Sequence, residues 1–120
     1  MIKIENASLT FKENPALLNL SLQVGSGEIL GLLGANGAGK STTINMLLGF
    51  LKADKGKVLI NQLDCYVNRT EVRNITGYIP ENVNLYPYLS GEENLDYFWS
   101  GKIVDEERYL EYVNFFSINN

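Results

Sequence analysis

Gly34-Ala35-Asn36-Gly37-Ala38-Gly39-Lys40-Ser41 is the stretch on which the reading of this chain turns. Its spacing is G-x-x-x-x-G-K-[ST], that of a phosphate-binding P-loop. A triphosphate crowds many oxygens into a small volume, so a protein that holds one must bring several donors close without side chains in the way. Gly34, Gly37 and Gly39 have no Cβ and reach positive φ cheaply, which lets successive backbone N–H groups turn into one concave nest. A helix is expected to open directly after the loop. Its unpaired first-turn N–H groups, through Ser41 and Thr42, and its partial positive charge favour an anion at that end. In such a loop Lys40 reaches the β- and γ-phosphates, and the Ser41 hydroxyl ligates Mg²⁺.

The flanks supply the strand–loop–helix setting that the motif requires. Glu28 to Leu33 (EILGLL) reads as a buried strand, and Ser41 to Phe50 as a helix whose Ile44, Leu47, Leu48 and Leu51 form a buried stripe. Upstream, Met1 to Phe11 alternates, with Ile2 and Ile4 on one face and Lys3 and Glu5 on the other. After a turn at Lys12 to Pro15, Ala16 to Val24 alternates again, with Leu18, Leu20, Leu22 and Val24 sharing a face. The two segments are expected to pair antiparallel. Downstream, Lys57 to Asn61 (KVLIN) reads as a short strand with a tight turn at Asn61-Gln62, and Thr70 to Ile75 as a short helix. Gly77-Tyr78-Ile79-Pro80 is an extended segment stopped by proline. Ser90 with Glu93 three residues later forms a capping box, so a helix is expected from there to about Trp99. A second amphipathic helix is expected over Asp105 to Phe116.

Composition narrows the function classes. A chain of 120 residues, 45% hydrophobic, suits one packed core, so one domain or part of one is expected. The formal net charge is -4 with no basic stripe, which argues against nucleic acid as a partner. Cys65 is the single cysteine and there is no histidine, which excludes an internal disulfide and a Cys/His zinc site. The N-terminus lacks the apolar run of a signal peptide, and no stretch approaches the length of a membrane span. A soluble protein of a reducing compartment is expected, one that can dock on something insoluble.

The P-loop preceded by two alternating strands and followed by KVLIN and GYIPE resembles the N-terminal part of an ABC-type ATPase, the nucleotide-binding subunit of membrane transporters. The resemblance covers nearly all of the chain. It implies an α/β fold, a P-loop NTPase core with an N-terminal antiparallel β layer, with residues 1–120 as the N-terminal part of a single nucleotide-binding domain. It also implies ATP and Mg²⁺ as ligands and a position on the inner, cytoplasmic face of the cell membrane. The implied partners are a transmembrane transporter subunit and a second nucleotide-binding subunit, dimerised with ATP at the interface. Phe11 stands where the family stacks an aromatic ring on adenine; the alternative is that it packs within the β layer. Gly77-Tyr78-Ile79-Pro80-Glu81 resembles the family's Q-loop, with Glu81 where a glutamine is usual. A carboxylate there can ligate Mg²⁺, and the alternative is a plain surface acid. That departure and the following Leu85 to Phe98 (LYPYLSGEENLDYF) resemble export-type members.

Leu89-Ser90-Gly91-Glu92-Glu93 resembles the family's LSGGQ signature in letters only. It follows the Q-loop almost at once, whereas the signature lies several dozen residues later, so the capping box accounts for it. Nine aromatics lie at or after Tyr86, namely Tyr86, Tyr88, Tyr97, Phe98, Trp99, Tyr109, Tyr112, Phe115 and Phe116. They read either as the core of a small helical subdomain or as a docking surface for the membrane subunit.

Phosphoryl transfer to water also needs an acid that orders Mg²⁺ and a group that positions the water. Neither the family's apolar strand ending in Asp-Glu nor its downstream histidine occurs before Asn120. The expectation is therefore a chain truncated before the helical subdomain and the Walker B strand are complete, and inactive alone. Three readings stay open at this point. One is the ATP-binding part of a transporter ATPase, probed by Lys40→Ala. The second is another P-loop NTPase or a soluble, non-transport ABC ATPase. The third is a non-catalytic nucleotide-binding piece.

Overall fold

The computed structural model describes residues 1–82 and 85–99. The helix expected over Asp105 to Phe116, with Tyr109, Tyr112, Phe115 and Phe116, lies outside the described residues. The chain divides into two compact units, Met1–Tyr78 and one beginning at Ile79.

The first unit is an antiparallel sheet with one main helix on it. Strands β1 (Ile2–Phe11), β2 (Asn14–Val24), β3 (Lys55–Ile60) and β4 (Leu63–Asp64) lie in the order β2-β1-β3-β4. Every pairing is antiparallel, β1 with β2, β1 with β3 and β3 with β4. The expected hairpin forms, closing through Lys12 (φ 57), with Phe11 opposite Asn14. Asn61 and Gln62, at φ 47 and 68, make the expected tight turn, and the two-residue β4 follows it. Helices α1 (Lys40–Leu47) and α2 (Arg69–Asn74) complete the unit.

The core gathers Ile4, Ala7 and Leu9 of β1, Val58 and Ile60 of β3, Met46 of α1, Val72 of α2, and Cys65. Burying side chains of the size of Ile4 and Met46 contributes about 1.5–3 kcal/mol each. Burial and the neighbouring Asp64 charge push the Cys65 thiol up to about 11, so it stays protonated and packs as a small apolar group.

Two departures from simple alternation reassign faces. Asn6 stands at φ 48 in a bulge of β1, so the buried positions pass from Ile2 and Ile4 to Ala7 and Leu9. Asn19, at φ 49, does the same on β2, where the register steps from Ala7 opposite Leu20 to Leu9 opposite Leu17. Leu17, Leu20 and Leu22 therefore pack on the core, while Leu18, expected among them, is 71% exposed. Serine hydroxyls opposite the bulges take the freed amides: Asn6 N–H donates to Ser21 Oγ and Asn19 N–H to Ser8 Oγ, each at 2.9 Å. Gly56, at φ 82, lies against the first bulge, where a Cβ would overlap the carbonyl oxygens of Glu5 and Asn6.

The expected strand Glu28 to Leu33 is the main correction. It joins no ladder, and Ile29 and Leu33 are 97% and 96% exposed. A run apolar on both faces needs strands on both sides, and among the described residues none flanks it. The stripe expected on α1 is also displaced. Thr43 and Met46 are the buried residues, Leu47 and Leu51 pack at the core's margin, and Ile44 and Leu48 are only half-buried. Among the described residues the helix packs chiefly on the antiparallel layer, and the part of its apolar surface turned from that layer stays partly open.

In the second unit α3 spans Gly91–Trp99. The capping box is reciprocal: Ser90 N–H donates to Glu93 Oε2 at 2.7 Å, and Glu93 N–H to Ser90 Oγ at 3.2 Å. The structural role expected for Leu89 to Glu93 is the one observed. Asn94, buried on the same helix, donates through Nδ2 to the carbonyls of Tyr86, Leu89 and Ser90 and accepts the Tyr86 N–H at Oδ1. That clamp holds the turn before α3, and the rings of Tyr86 and Tyr97 meet edge to face at 4.8 Å.

Candidate phosphate-binding site

The site is built where β2 passes under the start of α1. Gly39 is the N-cap of α1 at φ 87, and no side chain caps the helix. The first-turn amides, Lys40 to Thr42, have no acceptor within their own helix, and no acidic side chain stands in that turn. An uncapped N-terminus with an uncompensated dipole attracts an anion. Gly39 is also flush against the sheet. A Cβ there would stand 2.9 Å from both the Ala16 carbonyl oxygen and Leu17 Cδ1. A side chain at this point would lift the helix off the hairpin, which is the packing reason for the motif's last glycine.

The loop before the helix is folded on itself. Ala38 N–H donates to the Ala35 carbonyl at 3.1 Å, closing a turn through Asn36 and Gly37, and Gly37 stands at φ 85. Lys40 arches back over this turn, its Nζ donating to the carbonyls of Gly34 at 2.6 Å and Ala35 at 2.8 Å. The ammonium is thus held at the mouth of the loop. Gly34 to Ala38 and Ser41 are exposed, while Thr42 is half-buried.

Thr43 was not among the expected site residues. Its Oγ1 donates to the Gly39 carbonyl at 2.9 Å, beside the helical bond from its own N–H at 2.8 Å. The two hydrogen bonds pin the N-cap from the helix side, and Ala16 and Leu17 leave no room for a side chain on the sheet side. A hydroxyl four residues after a helix N-cap is the sequence signal that could have found it. For Leu17 no local signal existed, because the bulge at Asn19 decides its face.

The structure brings Gly34 to Thr42 into one loop-and-helix site. Phe11 sits at the end of β1, 48% exposed. The Leu9–Leu17 pair precedes it by two residues, about 7 Å along a strand, and Leu17 Cδ1 would stand 2.9 Å from a Cβ at the N-cap. The ring therefore stands in the same unit as the loop with a free face. Glu81 is exposed and belongs to the second unit.

The donors fit a polyphosphate: backbone amides, an ammonium and a helix dipole, with no opposing acid in the first turn. Among the described residues no three acidic, cysteine or histidine side chains cluster to hold a metal ion by themselves. A magnesium ion at this loop would need oxygens from phosphate and water beside any protein ligand.

Residues 17–120 match the model of the ABC transporter family. An uncharacterized ABC transporter ATP-binding protein, YdbJ of Bacillus subtilis, is 38% identical over 108 residues, 88% of this chain and 35% of that protein. The lipopolysaccharide export system ATP-binding protein LptB of Haemophilus influenzae is 38% identical over 79% of this chain and 40% of its own length. The Fe(3+) ions import ATP-binding protein FbpC of Fusobacterium nucleatum is 34% identical over 98% of this chain and 32% of its own length. The chain thus spans about a third to two-fifths of these relatives. Among solved structures, an ATP-binding subunit of an ABC transporter superposes with a TM-score of 0.74 at 32% identity, over 90% of this chain and 46% of that one. A dimeric ATP-binding cassette in a post-hydrolysis state, bound to ADP and Pi, does so with a TM-score of 0.66 at 30% identity, over 90% of this chain and 52% of that one. Among the described residues no helix is long and apolar enough to cross a membrane. With the family model matched along most of its length and an antiparallel layer set against a P-loop helix, this chain belongs to the ATP-binding proteins of the ABC transporter family.

Proposed function

We propose that the chain is the phosphate-binding part of an ABC transporter's ATP-binding subunit, holding Mg-ATP through Gly34 to Thr42. The observation that carries this is the uncapped N-terminus of α1, with Gly39 at its N-cap and Lys40 Nζ held over the loop. The amides of the loop and of Lys40, Ser41 and Thr42 bind the phosphate oxygens. Lys40 exchanges its carbonyl partners for the β- and γ-phosphates, and Ser41 Oγ supplies one ligand to the magnesium ion that bridges them. Phe11 offers a flat face to the adenine, which asks little hydrogen bonding of the protein. A magnesium contact from Glu81, which lies in the second unit, rests on the likeness of Gly77 to Glu81 to the Q-loop alone.

Hydrolysis belongs to the complete protein paired with a second nucleotide-binding subunit, docked on a transmembrane subunit at the cytoplasmic face of the membrane. The dimeric cassette with ADP and Pi supports the pairing and the nucleotide class. Direction rests on the Glu81 segment, which favours export. The relatives' names point both ways, to lipopolysaccharide export and to Fe(3+) import.

The test is Lys40→Ala in the full-length protein. Loss of charge-assisted contacts worth about 1.5–3 kcal/mol weakens Mg-ATP binding at least tenfold, read by calorimetric titration. ATP affinity unchanged in that variant would sink the reading.

A further inference from the structure

The hairpin and the phosphate loop come together at Gly39, where a Cβ would stand 2.9 Å from both the Ala16 carbonyl oxygen and Leu17 Cδ1. Along β2 the register steps from Leu17 opposite Leu9 to Pro15 opposite Thr10, which leaves Ala16 as an extra residue with no partner on β1. Its carbonyl oxygen and the Leu17 δ-methyl line the space that a Gly39 side chain would occupy. Leu17 is half-buried and packs on the core through the same side chain. On the other side Gly39 is held by Thr43 through two hydrogen bonds to its carbonyl. The N-cap of α1 is thus clamped between a helix contact and a hairpin contact. Because the extra residue lies on β2, β1 runs on without a change of face, and Phe11 shares the face of Leu9, the partner of Leu17.

We propose that Leu17 is a positioning residue: seated on Gly39, it sets where the Phe11 ring stands relative to the phosphate loop. It touches neither base nor phosphate. Resting on the nucleotide-binding reading above, this ties recognition of the base to that of the phosphates through one aliphatic side chain. A triphosphate without a base uses only the loop and the helix N-terminus, which the Thr43 bonds and the Ala16 backbone still hold when the Leu17 side chain is cut back. Loosening the hairpin therefore affects ATP and spares inorganic tripolyphosphate. A merely structural role for Leu17 would not separate the two ligands.

The experiment uses the full-length protein and titrates Mg-ATP and Mg-tripolyphosphate against the wild type, Phe11→Ala, Leu17→Ala, the double variant and Leu17→Met. Phe11→Ala weakens ATP roughly tenfold, the scale of a lost base–aromatic stack, and changes tripolyphosphate less than twofold. Leu17→Ala gives the same pattern, and the double variant is no weaker than either single one, because both remove one interaction. Leu17→Met, of similar volume, restores ATP affinity and guards against an unfolded Leu17→Ala. Equal losses for both ligands in Leu17→Ala, fully additive losses in the double variant, or an ATP affinity unmoved by Phe11→Ala would each overturn the proposal. If the wild type binds neither ligand, the nucleotide reading itself fails, a result distinct from all of these.

Discussion

Two aliphatic stretches of this chain reach opposite ends. Ile2 to Leu9 contributes Ile4, Ala7 and Leu9 to the core, each under 5% exposed, whereas Ile29 and Leu33 stand almost fully open. Both were expected to be strands. What separates them is the kind of neighbour each needs. β1 carries polar residues on one face and is satisfied by β2, which a two-residue turn returns to it, and by β3. Glu28 to Leu33 is apolar on both faces, so it needs flanking strands that only distant chain can supply. An apolar run specifies that something must cover it without specifying what.

The largest test of that contrast is a pair of truncations. Ile4→Ala removes a 2%-exposed side chain and costs about 2–5 kcal/mol, a large share of the stability of a domain of this size. Ile29→Ala, at 97% exposure, moves the urea midpoint of the 120-residue chain by no more than about 0.5 kcal/mol equivalent. In a full-length protein where the stretch is a strand with neighbours on both sides, the gap between the variants closes. If Ile29→Ala is as damaging as Ile4→Ala in the short chain, the stretch is already buried and the contrast is broken.

Glycines sharpen the same comparison at smaller scale. Gly56→Ala forces a side chain onto φ 82 and into the carbonyls of the β1 bulge. The backbone strain alone costs about 1–3 kcal/mol. Gly31→Ala, within the open stretch, meets no atom within 4 Å and has no positive φ, so stability changes by less than about 0.5 kcal/mol. Thermal unfolding of the two variants ranks them, and a Gly31→Ala loss as large as that of Gly56→Ala would contradict the open placement.

The parts legible in the sequence are those whose physics is local. The β1–β2 hairpin, the Asn61-Gln62 turn, the P-loop with its helix and the Ser90–Glu93 box each depend on residues within a few positions. The faces of β2 were not legible, because one left-handed Asn19 shifts the register and exchanges Leu18 for Leu17. The buried side of α1 went astray for a related reason. Hydrophobicity picked Ile44 and Leu48, but the surface that α1 meets selected Thr43 and Met46. For the candidate site, spacing named the loop residues that the structure gathers at the start of α1. The clamp on Gly39 was not, since it joins residues 16 and 17 to 39 across a fold the letters do not show.

The capping box of α3 gives the smallest predicted effect and the most local one. The hydrogen bonds to Ser90 hold the Glu93 carboxyl below its ordinary value of 4.5. A folded-state value below the unfolded one means that this contribution is fully present above about pH 4.5 and is lost as pH falls through the lowered value. Amide exchange at the first turn of α3, followed from pH 7 to 3, therefore quickens relative to the intrinsic rate only at the acid end. Glu93→Gln removes that pH dependence while keeping an acceptor for the Ser90 N–H. Ser90→Ala deletes the acceptor for the Glu93 N–H and costs about 1 kcal/mol of local helix stability at neutral pH. Because the box is closed within four residues, Ser90→Ala leaves protection of the β1–β3 amides in the first unit unchanged. Protection lost in both units together would mean that the helix start is held by the fold around it, as the Glu28 to Leu33 stretch would have to be, and not by its own sequence.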